Sequence, residues 1–238
     1  MNKLILTVIL AALVFTAKAQ DKASALNFSA GADVVSSYIW RGSYLGAASI
    51  QPGIGLDIAG FSVGAWGSTD FTGVANKEVD LTIGYEIAGL SLAVTDYWIV
   101  EQGGGDKYFN YDDKKGSAHT LEATLGYTLP VKVFPLSLSL NTVFAGADGI
   151  NEKGKKAYST YVEASYPFAV KDIALDATVG FTPWATTFYG ADGFSVINIS
   201  LKASKEIKIT DSFTLPLFGQ FIVNPRTEDT FLVVGITF

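Results

Sequence analysis

The residues able to do chemistry in this chain are mostly carboxylates, set against few cations. Side chains alternate between two faces along a strand, so Glu78 and Asp80 share a face. Pairing adjacent alternating segments across their turns sets Arg41 level with Ser49, Ser49 level with Asp70, and Asp70 level with Glu78. Asp80 then follows on the same face near Ser68, and one guanidinium stands among Asp70, Glu78 and Asp80. Its planar fork of donors suits carboxylates. Two roles fit: an ion-pair network that fixes and plugs a polar interior, since unpaired buried charge is costly, or a constriction that selects polar or cationic solutes by charge. The same pairing sets Asp33 against Asp57, like carboxylates that would keep one proton between them or hold a cation. It also sets Asp176 beside Lys202, as a neutralising pair. Glu86, Glu122 and Glu163 remain as an acidic lining, each also readable as part of a solvated wall.

Other chemistries are bounded by what is scarce. With no cysteine there is no disulfide, thiolate nucleophile or lipidated N-terminal cysteine. A single histidine, His119, rules out a multi-histidine metal site within one chain. No cofactor is expected. Asp106, Asp112 and Asp113 gather in one polar stretch, a possible calcium cluster without EF-hand spacing.

The elements that must position these residues are strands. Alternation recurs in about twelve segments, at 26–41, 47–58, 61–71, 77–87, 90–101, 118–129, 134–147, 157–168, 173–187, 193–206, 212–224 and 229–238. In the fourth, Val79, Leu81, Ile83, Tyr85 and Ile87 oppose Glu78, Asp80, Thr82, Gly84 and Glu86. The last segment ends on Phe238 with Leu232, Val234 and Ile236 on its parity. An apolar terminal strand makes a poor free edge, and pairing it with the first strand removes the edge. The chain is 49% hydrophobic, yet after the N-terminus no run reaches the roughly 18 apolar residues of a membrane helix. Alternation spreads apolarity in the way membrane barrels do. The expected fold is therefore all-β: a transmembrane antiparallel up-and-down barrel of about twelve strands over 20–238. A secreted β-sandwich is the competing architecture.

Aromatic placement favours the barrel. With both chain ends in the periplasm, Phe28, Phe61, Tyr85, Tyr127, Phe134, Tyr166, Phe168, Phe213 and Phe238 fall at the lower rim. Tyr38, Trp40, Phe71, Trp98, Phe144 and Tyr158 fall at the upper rim. Two such girdles mark membrane barrels. The turns at Ala59-Gly60 and Ala88-Gly89 are short, and the connection from Glu101 to Gly116 is long and charged, as an external loop would be. One position fits poorly: Asp96 takes the lipid parity between Val94 and Trp98, and a bulge or a headgroup-level position would be needed to accommodate it. Pro52, Pro183 and Pro216 are expected to mark bulges or lost ladder bonds.

Met1 to Ala19 has the form of a cleaved signal peptide: Lys3, an apolar core over 4–15, then Ala17-Lys18-Ala19. Cleavage removes Lys3 and Lys18 and takes the formal charge from −6 to −8. An acidic mature barrel argues against nucleic acid as partner. The expected setting is the outer membrane of a Gram-negative bacterium. The expected partners are the lipid bilayer and lipopolysaccharide, a small solute, and the barrel-assembly machinery acting through Phe238.

The stretch Asp33 to Gly42, with Tyr38-Ile39-Trp40-Arg41-Gly42, together with Gln51-Pro52-Gly53, Trp66-Gly67-Ser68 and Glu78-Val79-Asp80-Leu81, resembles the TorF-like porin family of bacterial outer-membrane proteins. The resemblance is clearest over 30–100 and implies a barrel and a channel, with no particular substrate. About twelve strands enclose a modest lumen, which inward Trp66, Tyr161, Trp184 and Phe218 would narrow. The leading expectation is a channel for small polar or cationic solutes. The alternative is a structural or ligand-binding barrel with a plugged lumen and a functional external loop. A remoter one is a membrane lipase like outer-membrane phospholipase A, suggested by Ser117 and His119 on one parity, although that family's His-x-Ser-Asn-Gly step is absent.

Overall fold

The computed structural model describes residues 26–100, 107–112, 116–130, 134–211 and 213–238. The proposed signal segment and the loop carboxylates Asp106 and Asp113 lie outside the described residues. The strands are β1 (Asn27–Val35), β2 (Tyr38–Trp40), β3 (Ser43–Gly46), β4 (Ser49–Ile58), β5 (Phe61–Asp70), β6 (Lys77–Ile87) and β7 (Leu90–Val100). They continue as β8 (His119–Thr128), β9 (Ser137–Gly146), β10 (Thr160–Val170), β11 (Ile173–Thr182), β12 (Ser195–Lys208), β13 (Thr214–Asn224) and β14 (Asp229–Thr237). Twelve of them close an antiparallel up-and-down barrel, in which each strand pairs with the next barrel strand and β1 pairs with β14. The two remaining strands, β2 and β3, form a separate hairpin.

Alternation decides which way the side chains point. Ile54, Leu56, Val63, Leu81, Ile83, Leu92, Leu125, Leu140, Ile199, Phe221 and Leu232 are all exposed on the outer face. Ser49, Ser68, Asp70, Glu78, Asp80, Glu122, Asn141 and Ser200 are buried inside. A sheet folded for water does the reverse. The aromatic rings expected at the lower rim do meet there: Phe61 lies 4.5 Å from Tyr85, and Phe134 4.8 Å from Tyr166. The upper girdle keeps exposed Phe71, Phe144 and Tyr158 but loses Tyr38 and Trp40, both on β2. Pro52 and Pro216 sit in the ladder opposite Ala32 and Glu206 without a register shift, whereas Pro183 follows the end of β11.

The main departure from the sequence expectation is in the first segment, which does not run unbroken to residue 41. It breaks after Val35 at Ser36-Ser37. The chain then makes the β2–β3 hairpin around Arg41 and Gly42, whose φ values of 48° and 78° are both left-handed, as a two-residue type I′ connection requires. The hairpin cannot join the wall, because Val35 already pairs with Ser49 of β4 and Gly235 of β14. It folds into the barrel instead. Gly42 lies so close to the Ile197 carbonyl of β12 that no side chain would fit there, and Asn224 Nδ2 of β13 donates to the Gly42 carbonyl at 3.1 Å.

The interior is thus not uniformly polar. Val35, Phe218, Ile222 and Val233 form an apolar cluster inside the seam, and Ile39 of the hairpin packs on it. Tyr161, Tyr189 and Ile197 form a second cluster, on which Trp40 packs. Two ring-on-glycine contacts let these bulky groups lie flat on the wall: Phe218 over Gly235 and Tyr161 over Gly180.

Orientation of the wall can be tested directly. Leu125→Arg, on the outer face, should destabilise the barrel in vesicles by about 2–4 kcal/mol, while inward Thr124→Lys costs clearly less; urea unfolding followed by tryptophan fluorescence reads both.

Candidate functional site

The upper lumen is organised by Arg41 at the hairpin tip. Its partner is Glu122 on β8: Nη1 donates to Oε2 at 2.6 Å and Nη2 to Oε1 at 2.8 Å. This is the two-pronged guanidinium–carboxylate geometry. Tyr97 of β7 donates a third hydrogen bond to Glu122, at 3.0 Å. Arg41 Nη1 also lies 2.7 Å from the Tyr189 hydroxyl. The guanidinium carbon sits 4.4 Å from the Trp40 ring centre and 4.6 Å from that of Tyr161, within the range of cation–π attraction. Glu122 has no exposed surface at all.

Tyr189 comes from a short 3-10 turn, Thr187–Tyr189, in the connection between β11 and β12. That turn is anchored from across the rim. Asp148 accepts from the Tyr158 and Ser159 amides at 2.8 and 3.2 Å, and the Ser159 hydroxyl meets the Thr186 hydroxyl at 2.5 Å. Trp184 Nε1 donates to the Ala157 carbonyl at 3.0 Å, so this ring ties two upper connections together and remains 43% exposed. It does not narrow the lumen as Tyr161 and Phe218 do.

The carboxylates expected around Arg41 form a separate group. Ser49 does pair with Asp70. The β5–β6 register, however, places Ser68 opposite Glu78 and Trp66 opposite Asp80, two residues from the expected alignment. Asp70 instead turns to the loop above, accepting from the Thr72 hydroxyl and, at 3.1 Å, from the Gly73 amide. Glu78 lies beside Tyr38 of the hairpin and neighbouring Asp80. Asp80 Oδ1 is sealed without a hydrogen-bond partner among the described residues. Tyr38 also packs on Trp66, ring centres 5.6 Å apart. The hairpin therefore separates an acidic side, Glu78 and Asp80, from a neutralised side, Arg41 and Glu122.

Lower in the lumen, Asp33 faces Gln51, not Asp57, which pairs with Asn27. Asp33 accepts instead from Thr237 across the seam at 2.6 Å. Asp176 and Lys202 are level, as expected. Asp176 nevertheless accepts from Thr178 at 2.9 Å and Ser165 at 3.3 Å, while Lys202 Nζ lies 4.1 Å from the Phe218 ring centre. Glu163 accepts from the Tyr161 hydroxyl at 2.5 Å, and Glu86 is exposed at the lower end.

Asp96 keeps its outward parity without a bulge, paired with Leu81 and Leu121. The upper connection between β7 and β8 folds down over it. His119 Nδ1 lies 2.8 Å from Asp96 Oδ1, and the Tyr111 hydroxyl donates to Oδ2 at 2.7 Å. The Tyr111 ring stacks on His119 at 3.8 Å. Burial and the Asp96 carboxylate push the Tyr111 phenol above its ordinary range. The second His119 nitrogen lies 2.5 Å from the Tyr108 carbonyl, and Ser117 Oγ donates to the Asn110 carbonyl. Both imidazole nitrogens are thus occupied by groups other than the serine, and no nucleophile–base contact is made.

Residues missing from the sequence analysis as lumen groups are Trp40, Tyr97, Asp148 and Tyr189. A signal existed for the first: Gly42 suits the second place of a two-residue turn, and a sixteen-residue segment, 26–41, is long for one strand.

Two expectations follow. Arg41→Ala strands a buried carboxylate and should cost about 3–5 kcal/mol in urea unfolding, and adding Glu122→Gln should recover much of that loss. His119→Ala should lower stability by about 1–3 kcal/mol and speed chymotryptic cleavage at Tyr108 to Tyr111; unchanged cleavage would mean that the histidine does not hold this connection down.

No curated protein matches the chain. Residues 19–212 match a family model described as a bacterial protein of unknown function, Gcw_chp. That match spans most of the chain and ends within the connection before β13, so this closed twelve-strand barrel belongs to the Gcw_chp family of bacterial proteins.

Proposed function

We propose that the protein is an outer-membrane barrel of a Gram-negative bacterium, exported by a cleaved signal peptide, that passes small polar or cationic solutes through a narrow lumen. The observation that carries this is the inversion of the wall: apolar side chains outward around the circumference, carboxylates and hydroxyls inward. An apolar outer face of this extent is stable only against lipid. A lumen lined by ionisable groups and hydroxyls is suited to water and hydrophilic solutes. The resemblance to TorF-like porins in Tyr38 to Gly42, Trp66 to Ser68 and Glu78 to Leu81 points the same way. Those motifs form the hairpin and the wall it touches.

The β2–β3 hairpin is the constriction in this reading. Glu78 and Asp80 on its acidic side favour cations, and Arg41, neutralised by Glu122, repels them little. Lipopolysaccharide surrounds the upper rim, and Phe238, exposed at the end of β14, is the residue offered to the assembly machinery. No catalytic step is assigned.

A second reading has its own support. The hairpin contacts β5, β8, β12 and β13 across the lumen, as a permanent plug would. Planar-bilayer recording separates the two. A channel gives small, cation-preferring conductance that rises in Arg41→Ala/Glu122→Gln and loses its preference in Glu78→Gln/Asp80→Asn. Folded protein that stays silent in every variant is a plugged barrel.

A further inference from the structure

Beneath the hairpin, on the neutralised side, lies a cavity of about 320 Å³. At roughly 30 Å³ per water it has room for about ten waters, and it stands at the small end of ligand-sized pockets. Arg41, Tyr161, Glu163, Asn198, Ser200 and Gln220 are among its walls. What matters is which of their hydrogen-bonding atoms are already used.

Arg41, Tyr161, Asn198 and Gln220 each already spend a donor on the wall itself. Arg41 gives Nη1 and Nη2 to Glu122 and Nη1 to Tyr189. The Tyr161 hydroxyl donates to Glu163 Oε2 at 2.5 Å. Asn198 Nδ2 donates to the Tyr161 oxygen at 2.9 Å, and Gln220 Nε2 to Ser200 Oγ at 3.2 Å. The acceptors opposite them are open. Glu163 Oε1, Asn198 Oδ1 and Gln220 Oε1 receive no hydrogen bond from the described residues. None of them is sealed, since the only sealed unsatisfied atoms among the described residues are Asp80 Oδ1 and Trp98 Nε1. All three belong to residues that line the cavity. Arg41 already covers one face of Trp40 and one of Tyr161.

A chamber whose open amide oxygens accompany a carboxylate suits a guest with several N–H groups. Charge narrows the choice. Arg41 and Glu122 cancel, which leaves Glu163 as the uncompensated charge on this wall. We infer that the chamber is a binding site for a small primary ammonium, with Glu163 as its counter-ion and the amide oxygens of Asn198 and Gln220 completing the acceptor set. This deepens the proposed solute-passing role by naming a chemical class, and it rests on the lumen being a solute compartment. Binding itself does not require conduction.

The test uses the folded barrel in a non-ionic detergent and n-propylammonium chloride as probe, with glycerol as a neutral donor of similar size, followed by ligand-observed NMR titration. Saturable binding of propylammonium and much weaker binding of glycerol are expected. Glu163→Gln keeps the shape but removes the charge, and should weaken propylammonium at least about ten-fold, the scale of a hydrogen bond to a charged group. Gln220→Glu adds a carboxylate on another wall and should tighten it, which keeps the test alive if Glu163→Gln does not fold. Equal binding of glycerol, indifference to both substitutions, or no saturable binding overturns the inference. Binding by a barrel that is silent in bilayers overturns conduction and leaves the chamber standing; conduction without saturable binding does the opposite.

Discussion

Glu122 has no exposed surface, and a carboxylate in that position is tolerable only because each of its oxygens is met by a donor. A buried ion pair contributes little net stability, but breaking it is costly. Its effect here is to fix position. Arg41 reaches Glu122 only if the hairpin enters the barrel, and the hairpin enters only because Arg41 and Gly42 both accept a left-handed backbone. From that placement follow the stacking of Trp40, the contact of Tyr38 with Glu78, and the division of the upper lumen into acidic and neutralised sides.

Most of the wall was legible in the sequence, because period-two alternation is a local property and a barrel with unlike inner and outer faces enforces it on every strand. The segment 77–87 coincides with β6, and most others differ from their strands by up to three residues at an end. Arg41 was misplaced for a physical reason. Alternation continues through Val34, Tyr38 and Trp40 as if one strand ran on, and only pairing, a non-local property, shows that Val35 fills the last place beside Ser49. The expected Asp70–Glu78 alignment failed because the connection 71–76 does not close on a level pair; the register sets Ser68 there. Asp96 looked like an error of parity because its partners, His119 and Tyr111, come from the next strand and its connection, which a strand-by-strand reading does not reach.

The two ends of the lumen are built differently. Towards the top, Tyr97, Tyr161, Tyr189 and Trp40 fill space around the guanidinium. Towards the bottom, the inward places go to Ser29, Gly31, Gly55, Ser62, Gly84, Ser91 and Gly126, with serine hydroxyls lying against the glycines of neighbouring strands. Small residues leave room and large ones take it up. The lower half is therefore lined by small residues, and the bulky groups gather in the upper half around the hairpin.

The seam between β1 and β14 has a consequence for how the chain reaches this state. Its register pairs Asp33 to Val35 with Gly235 to Thr237, and backbone hydrogen bonds extend it to Ala32 with Phe238 and Ser36 with Val234, five places against nine on the other edge of β1; the pairs join residues about 200 positions apart. Contacts that distant form late, since chain entropy must be lost before they give any return. Yet the last link also encloses the hairpin: Ser36, just before it, bonds to Val234, and Asn224 of β13 holds Gly42. Sealing the cylinder and enclosing the hairpin are thus coupled. A chain that zipped shut with the hairpin left outside would have to reopen that seam to correct itself.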